Sequence, residues 1–147
     1  MEAYDHLSTF PDVIPALKGF TTNPNITAVV FSNGTKTMVS NSVFRSQDLS
    51  PHAMIFQHLV TVDDVRKFKP APEVYHHLAK TTGKEMRNIW LVTANPFDVV
   101  GATTVGINAA WVDRAGRGWE DNAVPSVRPK VIGKGLEEIL DSIIQHI

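Results

Sequence analysis

Six polar side chains of this sequence follow three apolar runs and have the types that small-molecule chemistry uses. They are Ser32, Asn33, Lys69, Thr93, Asn95 and Asp98. A hydroxyl and an amide beside the backbone N–H groups of a turn can hold an anion. A lysine ammonium and a carboxylate can together polarise a carbonyl group and move a proton. The combination predicts a site for an anionic or carbonyl-bearing small molecule.

Each of these groups also has a purely structural interpretation. Ser32 and Asn33 begin a Ser-Asn-Gly-Thr stretch that is ordinary turn chemistry. Asp98 could cap the helix that is predicted to begin there, because aspartate suits the positive end of a helix. Lys69 could be a solvated surface lysine. The recurrence of polar groups after three successive apolar runs favours a common site.

The elements that position these side chains alternate between strand and helix. Strands are predicted over residues 26–32, 56–62, 88–93, 109–112 and 130–132. Helices are predicted over residues 11–19, 36–47, 72–82, 98–105 and 136–147. Continuous apolar strands separated by helices are typical of a parallel sheet that helices cover on both faces. Ligands of such sheets bind at the carboxyl ends of the strands, where the polar groups lie.

The composition limits the class of protein. A length of 147 residues favours a single domain over residues 1–147. Lys and Arg number 14 against 15 Asp and Glu, so no basic excess points to nucleic acid. No apolar run approaches the roughly 20 residues that span a bilayer, and no signal peptide is recognisable. The chain has no cysteine. We therefore expect a cytoplasmic protein without a membrane or nucleic-acid partner.

Three longer segments resemble the haloacid dehalogenase (HAD) superfamily. They are AVVFSNGT, VDDVRKFKPAPEVYHHLA and WLVTANPFDVVGATTVGINAAWVDRAGRGWE, in the family's order and spacing. The chain is most similar to the type II 2-haloacid dehalogenases. The resemblance implies a three-layer α/β/α, Rossmann-like parallel sheet. In that family an aspartate on the first strand displaces halide from the substrate, and water then hydrolyses the ester.

The resemblance also implies roles for particular residues. Ser32 and Asn33 resemble the residues that hold the substrate carboxylate, and Lys69 resembles the lysine that neutralises the nucleophile. Tyr75 resembles a site tyrosine of the family. The loop that positions the lysine, the nucleophile and the water corresponds to Thr93, Asn95 and Asp98. Phosphatase members carry an acidic residue near the position of Thr93 or Ala94, which is absent here. No metal and no cofactor are therefore expected.

The sequence departs from the family pattern at its N-terminal end. The segment before Pro11 has no apolar run followed by the nucleophilic aspartate. Val62-Asp63-Asp64 fits that motif only superficially, because it belongs to a different strand. We expect a truncated HAD-like core that lacks the central first strand and the cap domain. Direct pairing of the neighbouring strands, a strand of another chain or the segment 1–10 could fill the gap.

Three functions are consistent with this interpretation. The first is a repurposed enzyme in which Lys69 and Asp98 catalyse isomerisation, elimination or cyclisation without a covalent ester. The second is a dehalogenase-type hydrolase fragment that another chain completes. The third is a binding or assembly protein that has kept the polar residues as structure. Because loss of the cap would uncover apolar surface, a homodimer or higher oligomer is also expected.

Overall fold

The computed structural model of the chain describes residues 8–120 and 124–147. Its helices are α1 (Val13–Thr22), α2 (Lys36–Phe44), α3 (Pro72–Thr82), α4 (Pro96–Thr104) and α5 (Leu136–Ile144). Its strands are β1 (Ala28–Ser32), β2 (Phe56–Thr61), β3 (Trp90–Thr93), β4 (Asn108–Val112) and β5 (Val131–Gly133). The chain divides into two compact units, one ending at Arg66 and the other beginning at Lys67. The expectation of a single domain stays a prediction.

Over residues 8–66, the first unit contains a parallel pair of strands and two α-helices. β1 and β2 are parallel, with Ser32 opposite Thr61 at their carboxyl ends. Helix α2 begins after Thr35, whose hydroxyl accepts the N–H of Met38 at 3.2 Å. This is the cap that a threonine before a helix predicts. The core of this unit lies between helix α2 and the strands; it consists of Val39, Val43 and Ala53 with Val30, Phe56 and Leu59 packed against them.

The acidic pair after β2 stabilises the beginning of α2. Asp63 accepts the backbone N–H of Lys36 at 2.8 Å. Asp64 forms an exposed ion pair with the ammonium of Lys36 at 3.0 Å. Carboxylates are favourable at the N-terminal end of a helix, where backbone N–H groups have no helical acceptor. Both side chains therefore have a structural role, and neither occupies the place of a strand-borne nucleophile.

The second unit is a three-stranded parallel sheet with helices. β4 lies between β3 and β5, and Thr93 at the end of β3 is opposite Trp111. Four of the five residues of β4 are buried, as expected for the central strand of a covered sheet. Helix α5 presents the apolar stripe that its sequence predicts. The core cluster between this helix and the strands β4 and β5 consists of Ala110, Val112, Val131, Ile139 and Ile143.

Some helices end at the residues that the sequence signals predict, and others continue beyond them. Helix α3 has the predicted bounds, since Pro72 occupies its first turn and Gly83 follows it with φ of 65°. Helix α1 continues past Gly19 to Thr22, so the predicted end at glycine is wrong. The hydroxyls of Thr21 and Thr22 bond carbonyls three residues earlier, which satisfies acceptors in this last turn. Two short 3-10 helices, Ser50–Ile55 and Met86–Asn88, were not predicted.

Three predictions concern the N-terminal segment, a membrane span and a metal site. Residues 1–7 of the segment 1–10 lie outside the described residues. Among residues 8–120 and 124–147, no helix is both long enough and apolar enough to cross a membrane. In the same ranges, no three His, Asp or Glu side chains come close enough together to hold a metal ion.

Candidate active site

A buried ion pair joins the two residues that the sequence nominates for catalysis. The ammonium Nζ of Lys69 lies 2.7 Å from Oδ2 of Asp98. The Lys69 side chain is 10% exposed and the Asp98 side chain 1% exposed. Lys69 precedes helix α3, and Asp98 lies in the first turn of helix α4, just beyond the carboxyl end of β3. This is the edge of a parallel sheet at which ligands are expected.

Tyr75 forms a hydrogen bond with the second oxygen of the same carboxylate. Its hydroxyl donates to Oδ1 of Asp98 at 2.6 Å, and the tyrosine is completely buried on helix α3. Burial raises the pKa of the Tyr75 phenol, and the hydrogen bond to Asp98 and the charge of that carboxylate raise it further. The phenol is therefore held as a neutral donor. Both oxygens of Asp98 are thus engaged, so the carboxylate holds the ammonium and the phenol in place.

The interpretation of Asp98 as a helix cap is wrong. Helix α4 begins at Pro96, its N-cap is Asn95, and Asp98 is the third helical residue. The carboxylate turns to Lys69 and Tyr75, which lie outside this helix. A charge buried to this degree is costly unless it is paired and hydrogen-bonded. Two donors and the positive end of α4 offset that cost at Asp98.

Thr93 and Asn95 belong to the loop that carries the chain from β3 into α4. The Thr93 hydroxyl accepts the N–H of Asn95 at 3.1 Å. The indole N–H of Trp111 on β4 donates to the carbonyl of Ala94 at 3.1 Å. These bonds fix the loop, and the side chain of Asn95 lies on the exposed surface. Their predicted contact with substrate stays a prediction.

Ser32 and Asn33 lie in the first unit, at the carboxyl end of β1. The Ser32 hydroxyl accepts the N–H of Gly34 at 3.0 Å, which closes a tight turn. Both residues are half-buried. The structure thus brings Lys69, Tyr75 and Asp98 into direct contact within the second unit. The role of Ser32 and Asn33 in holding a carboxylate stays a prediction.

Two features of the second unit are not predicted from the sequence. Gly101 on α4 packs so close to Tyr75 that an added Cβ atom would lie 2.5 Å from its hydroxyl oxygen, and a glycine inside a helix pattern is the available signal. Asp113 follows β4, is 8% exposed, and accepts the N–H groups of Arg117 and Gly118. Asp113 and Trp111 both line a groove of about 510 Å³. The sequence predicts only a polar loop there, since the contacts of Asp113 depend on the folded chain.

The fold and the buried pair define an α/β protein with a charged site at the edge of a parallel sheet. A family model described as haloacid dehalogenase-like hydrolase matches residues 1–112. The chain therefore belongs to the haloacid dehalogenase-like hydrolases, as its motifs predict.

Relatives and solved structures agree with this assignment. Haloacetate dehalogenase H-2 of Moraxella sp. (strain B) is 30% identical over 123 residues, which cover 82% of this chain and 51% of that protein. (S)-2-haloacid dehalogenase H-109 of Pseudomonas putida is 28% identical over 141 residues, covering 95% of this chain and 61% of the relative. This chain thus spans between half and two thirds of the length of these relatives.

The structural likeness is also extensive. A crystal structure of an L-2-haloacid dehalogenase superposes with a TM-score of 0.85 at 28% identity, covering 97% of this chain and 60% of the other. The L-2-haloacid dehalogenase of Xanthobacter autotrophicus, solved with chloropropionic acid covalently bound, gives a TM-score of 0.83 at 21% identity. That match covers 99% of this chain and 65% of the other, and it concerns the fold alone. The predicted HAD-like α/β fold is confirmed.

Proposed function

We propose that this chain supplies the lysine-centred part of a site that hydrolyses small 2-haloacids. The observation that supports this is the Lys69–Asp98 pair at 2.7 Å, nearly shielded from water, with Tyr75 on the other carboxylate oxygen. The arrangement holds the ammonium in a fixed position. A fixed ammonium suits the stabilisation of negative charge better than the abstraction of a proton.

The chemistry requires such a charge. In the proposed reaction a carboxylate oxygen attacks C2 of the haloacid, the carbon–halogen bond breaks, and halide leaves with the electron pair. Water then hydrolyses the resulting ester to a 2-hydroxyacid. The attacking carboxylate and the substrate carboxylate repel each other by about 4 kcal/mol at 4 Å and an effective dielectric constant near 20. Lys69 offsets this repulsion.

In this proposal the attacking aspartate comes from a segment outside these 147 residues. The aspartates that follow described strands already have other partners. Asp63 and Asp64 bind Lys36, Asp98 binds Lys69, and Asp113 binds the N–H groups of its own loop. Each is therefore engaged in holding the structure.

Ligand binding tests the proposal directly. Titration of the chain with (S)-2-chloropropionate, followed by NMR, is expected to shift resonances of α3 and α4 saturably. Lys69→Met is expected to abolish the shifts. Lys67→Met is the matched control, because Lys67 is an exposed lysine, 54% accessible, two residues away. Equal binding by the Lys69→Met variant would contradict the role of this ammonium.

Halide release tests the origin of the nucleophile. The chain alone is expected to release no halide. Addition of the part of the Pseudomonas putida relative that this chain does not match is expected to restore release, again dependent on Lys69. Halide release by the chain alone would show that the attacking group lies within it.

The engagement of these four aspartates also favours a second candidate, a repurposed enzyme without an ester intermediate. In it Lys69 polarises an anionic or carbonyl-bearing substrate, and the carboxylate of Asp98 accepts the proton that leaves carbon during isomerisation, elimination or cyclisation. Such proton transfer would exchange hydrogen on the carbon beside the carbonyl for deuterium in D₂O. Deuterium uptake by pyruvate that Lys69→Met eliminates and Lys67→Met preserves would favour this function. The cytoplasmic location and the absence of a nucleic-acid partner stay predictions.

A further inference from the structure

Helix α4 contains a glycine on the face that carries Asp98. Gly101 follows Asp98 by three residues, so the two lie on the same side of the helix. Gly101 is buried. Glycine is among the least favourable residues in a helix interior. Its presence in the middle of a nine-residue helix therefore calls for a reason in the packing.

The packing around Gly101 leaves no room for a side chain. A Cβ atom built there would lie 2.5 Å from the hydroxyl oxygen of Tyr75 and 2.8 Å from its Cε2. It would also lie 2.8 Å from Cβ of Pro70. Real Cβ atoms essentially never make contacts shorter than 3.0 Å, so either Tyr75 or Pro70 would have to move.

Each of these two neighbours is directly connected to the buried ion pair. Pro70 follows Lys69 directly in the chain, and Tyr75 donates to the carboxylate that binds the Lys69 ammonium. Displacement of either one would shift an end of the pair. Tyr75 is also confined by its complete burial. Its hydroxyl can therefore move away from an added Cβ atom only by breaking the hydrogen bond to Asp98.

We propose that Gly101 is a positioning residue of the site. The absence of its side chain allows Tyr75 to close against α4 and bond Asp98, which in turn holds Lys69. Gly101 acts through Tyr75 and touches no substrate. Its expected effect on ligand binding rests on the proposed function, whereas its effect on Tyr75 does not.

The first test measures Tyr75 itself. The chain has two tyrosines, Tyr4 and Tyr75, so ¹³Cζ labelling of tyrosine gives two NMR signals that Tyr75→Phe assigns. In Gly101→Ala the Tyr75 signal is expected to shift and to titrate at lower pH than in the unmodified chain. Val99→Ala is the control for general loosening, because Val99 lies on the same helix but packs against Ala109 and Trp111. An unchanged Tyr75 signal in Gly101→Ala overturns the inference.

A double-mutant cycle covers the case in which Gly101→Ala folds poorly. Tyr75→Phe removes the atom closest to the added Cβ, so the loss of stability caused by Gly101→Ala is expected to be smaller with Phe at position 75. Recovery of folding in the double variant supports the inference. Equal losses in both backgrounds, or failure of both variants to fold, show that the hydroxyl of Tyr75 is not the obstacle and overturn the inference.

Ligand binding separates this inference from the proposed function. If the unmodified chain binds (S)-2-chloropropionate, Gly101→Ala is expected to weaken binding at least tenfold and Val99→Ala less than threefold. If the unmodified chain does not bind it, the proposed function fails, and the tyrosine signals still decide the role of Gly101.

Discussion

The carboxylate of Asp98 shows how a charge is stabilised inside this protein. Its two oxygens have different donors, a lysine ammonium and a phenol, which come from the segment before α3 and from α3 itself. Removal of one donor leaves part of the charge without compensation, and a buried group in that state costs more than the lost bond alone. The pair is therefore a sensitive point for both folding and ligand binding.

Replacement of Tyr75 by Phe is the simplest test of this balance. The ring continues to fill its site, but Oδ1 of Asp98 loses its donor. We expect a loss of about 1–3 kcal/mol in the free energy of unfolding, measured with urea. Ser142→Ala is the control, because it removes an exposed side-chain hydrogen bond and should change stability by less than about 0.5 kcal/mol. A loss of that small size for Tyr75→Phe would show that Asp98 does not depend on the phenol.

Tyr75 also predicts a pH dependence of stability. The pKa of its phenol is raised in the folded chain from the ordinary value of 10.0. Above that pH the unfolded chain loses the proton while the folded chain keeps it, so stability falls as pH rises, by up to about 1.4 kcal/mol per pH unit. Urea unfolding at pH 9 and pH 11 should show a larger loss for the unmodified chain than for Tyr75→Phe. Parallel losses would contradict the raised pKa.

The elements around the site show which features the sequence could predict. Pro72 and Gly83 gave the bounds of α3 because both act through their own backbone geometry. Gly19 did not end α1, because glycine permits a helix end without requiring one. The contact of Tyr75 with Asp98 depends on how α3 and α4 approach each other. A single sequence contains no local signal for that approach, and only the family resemblance indicated a site tyrosine.

Helix α3 carries Tyr75, and its end offers a prediction about backbone conformation alone. Gly83 has φ of 65°, and a Cβ there would meet no atom within 4 Å. Gly83→Ala should therefore destabilise the chain by about 1–2 kcal/mol through the left-handed conformation only. Gly83→Asn should cost less, since asparagine tolerates this region. The urea midpoints of the two variants measure the difference, and equal midpoints would exclude a conformational cause.

At the scale of the whole molecule, apolar side chains on the surface predict self-association. Met54 is 93% exposed in the first unit, and Phe68 is 66% exposed in the second. Large apolar groups that stay in contact with water favour burial in an interface, although single ones are common on monomers. We expect a homodimer at micromolar concentration, seen in sedimentation velocity as a species of twice the chain mass that dissociates on dilution.

Charge substitutions locate the predicted interface. Met54→Lys and Phe68→Lys each place an ammonium where an apolar group would be buried, so the one within the interface should raise the dissociation constant at least tenfold. Lys84→Glu is the control for a charge change at an exposed position. Because neither apolar residue contributes to a buried core cluster, both variants should unfold at nearly the same urea concentration as the unmodified chain when all are diluted below the dissociation constant of the dimer. A monomer mass for the unmodified chain at every concentration would show that these side chains stay in water.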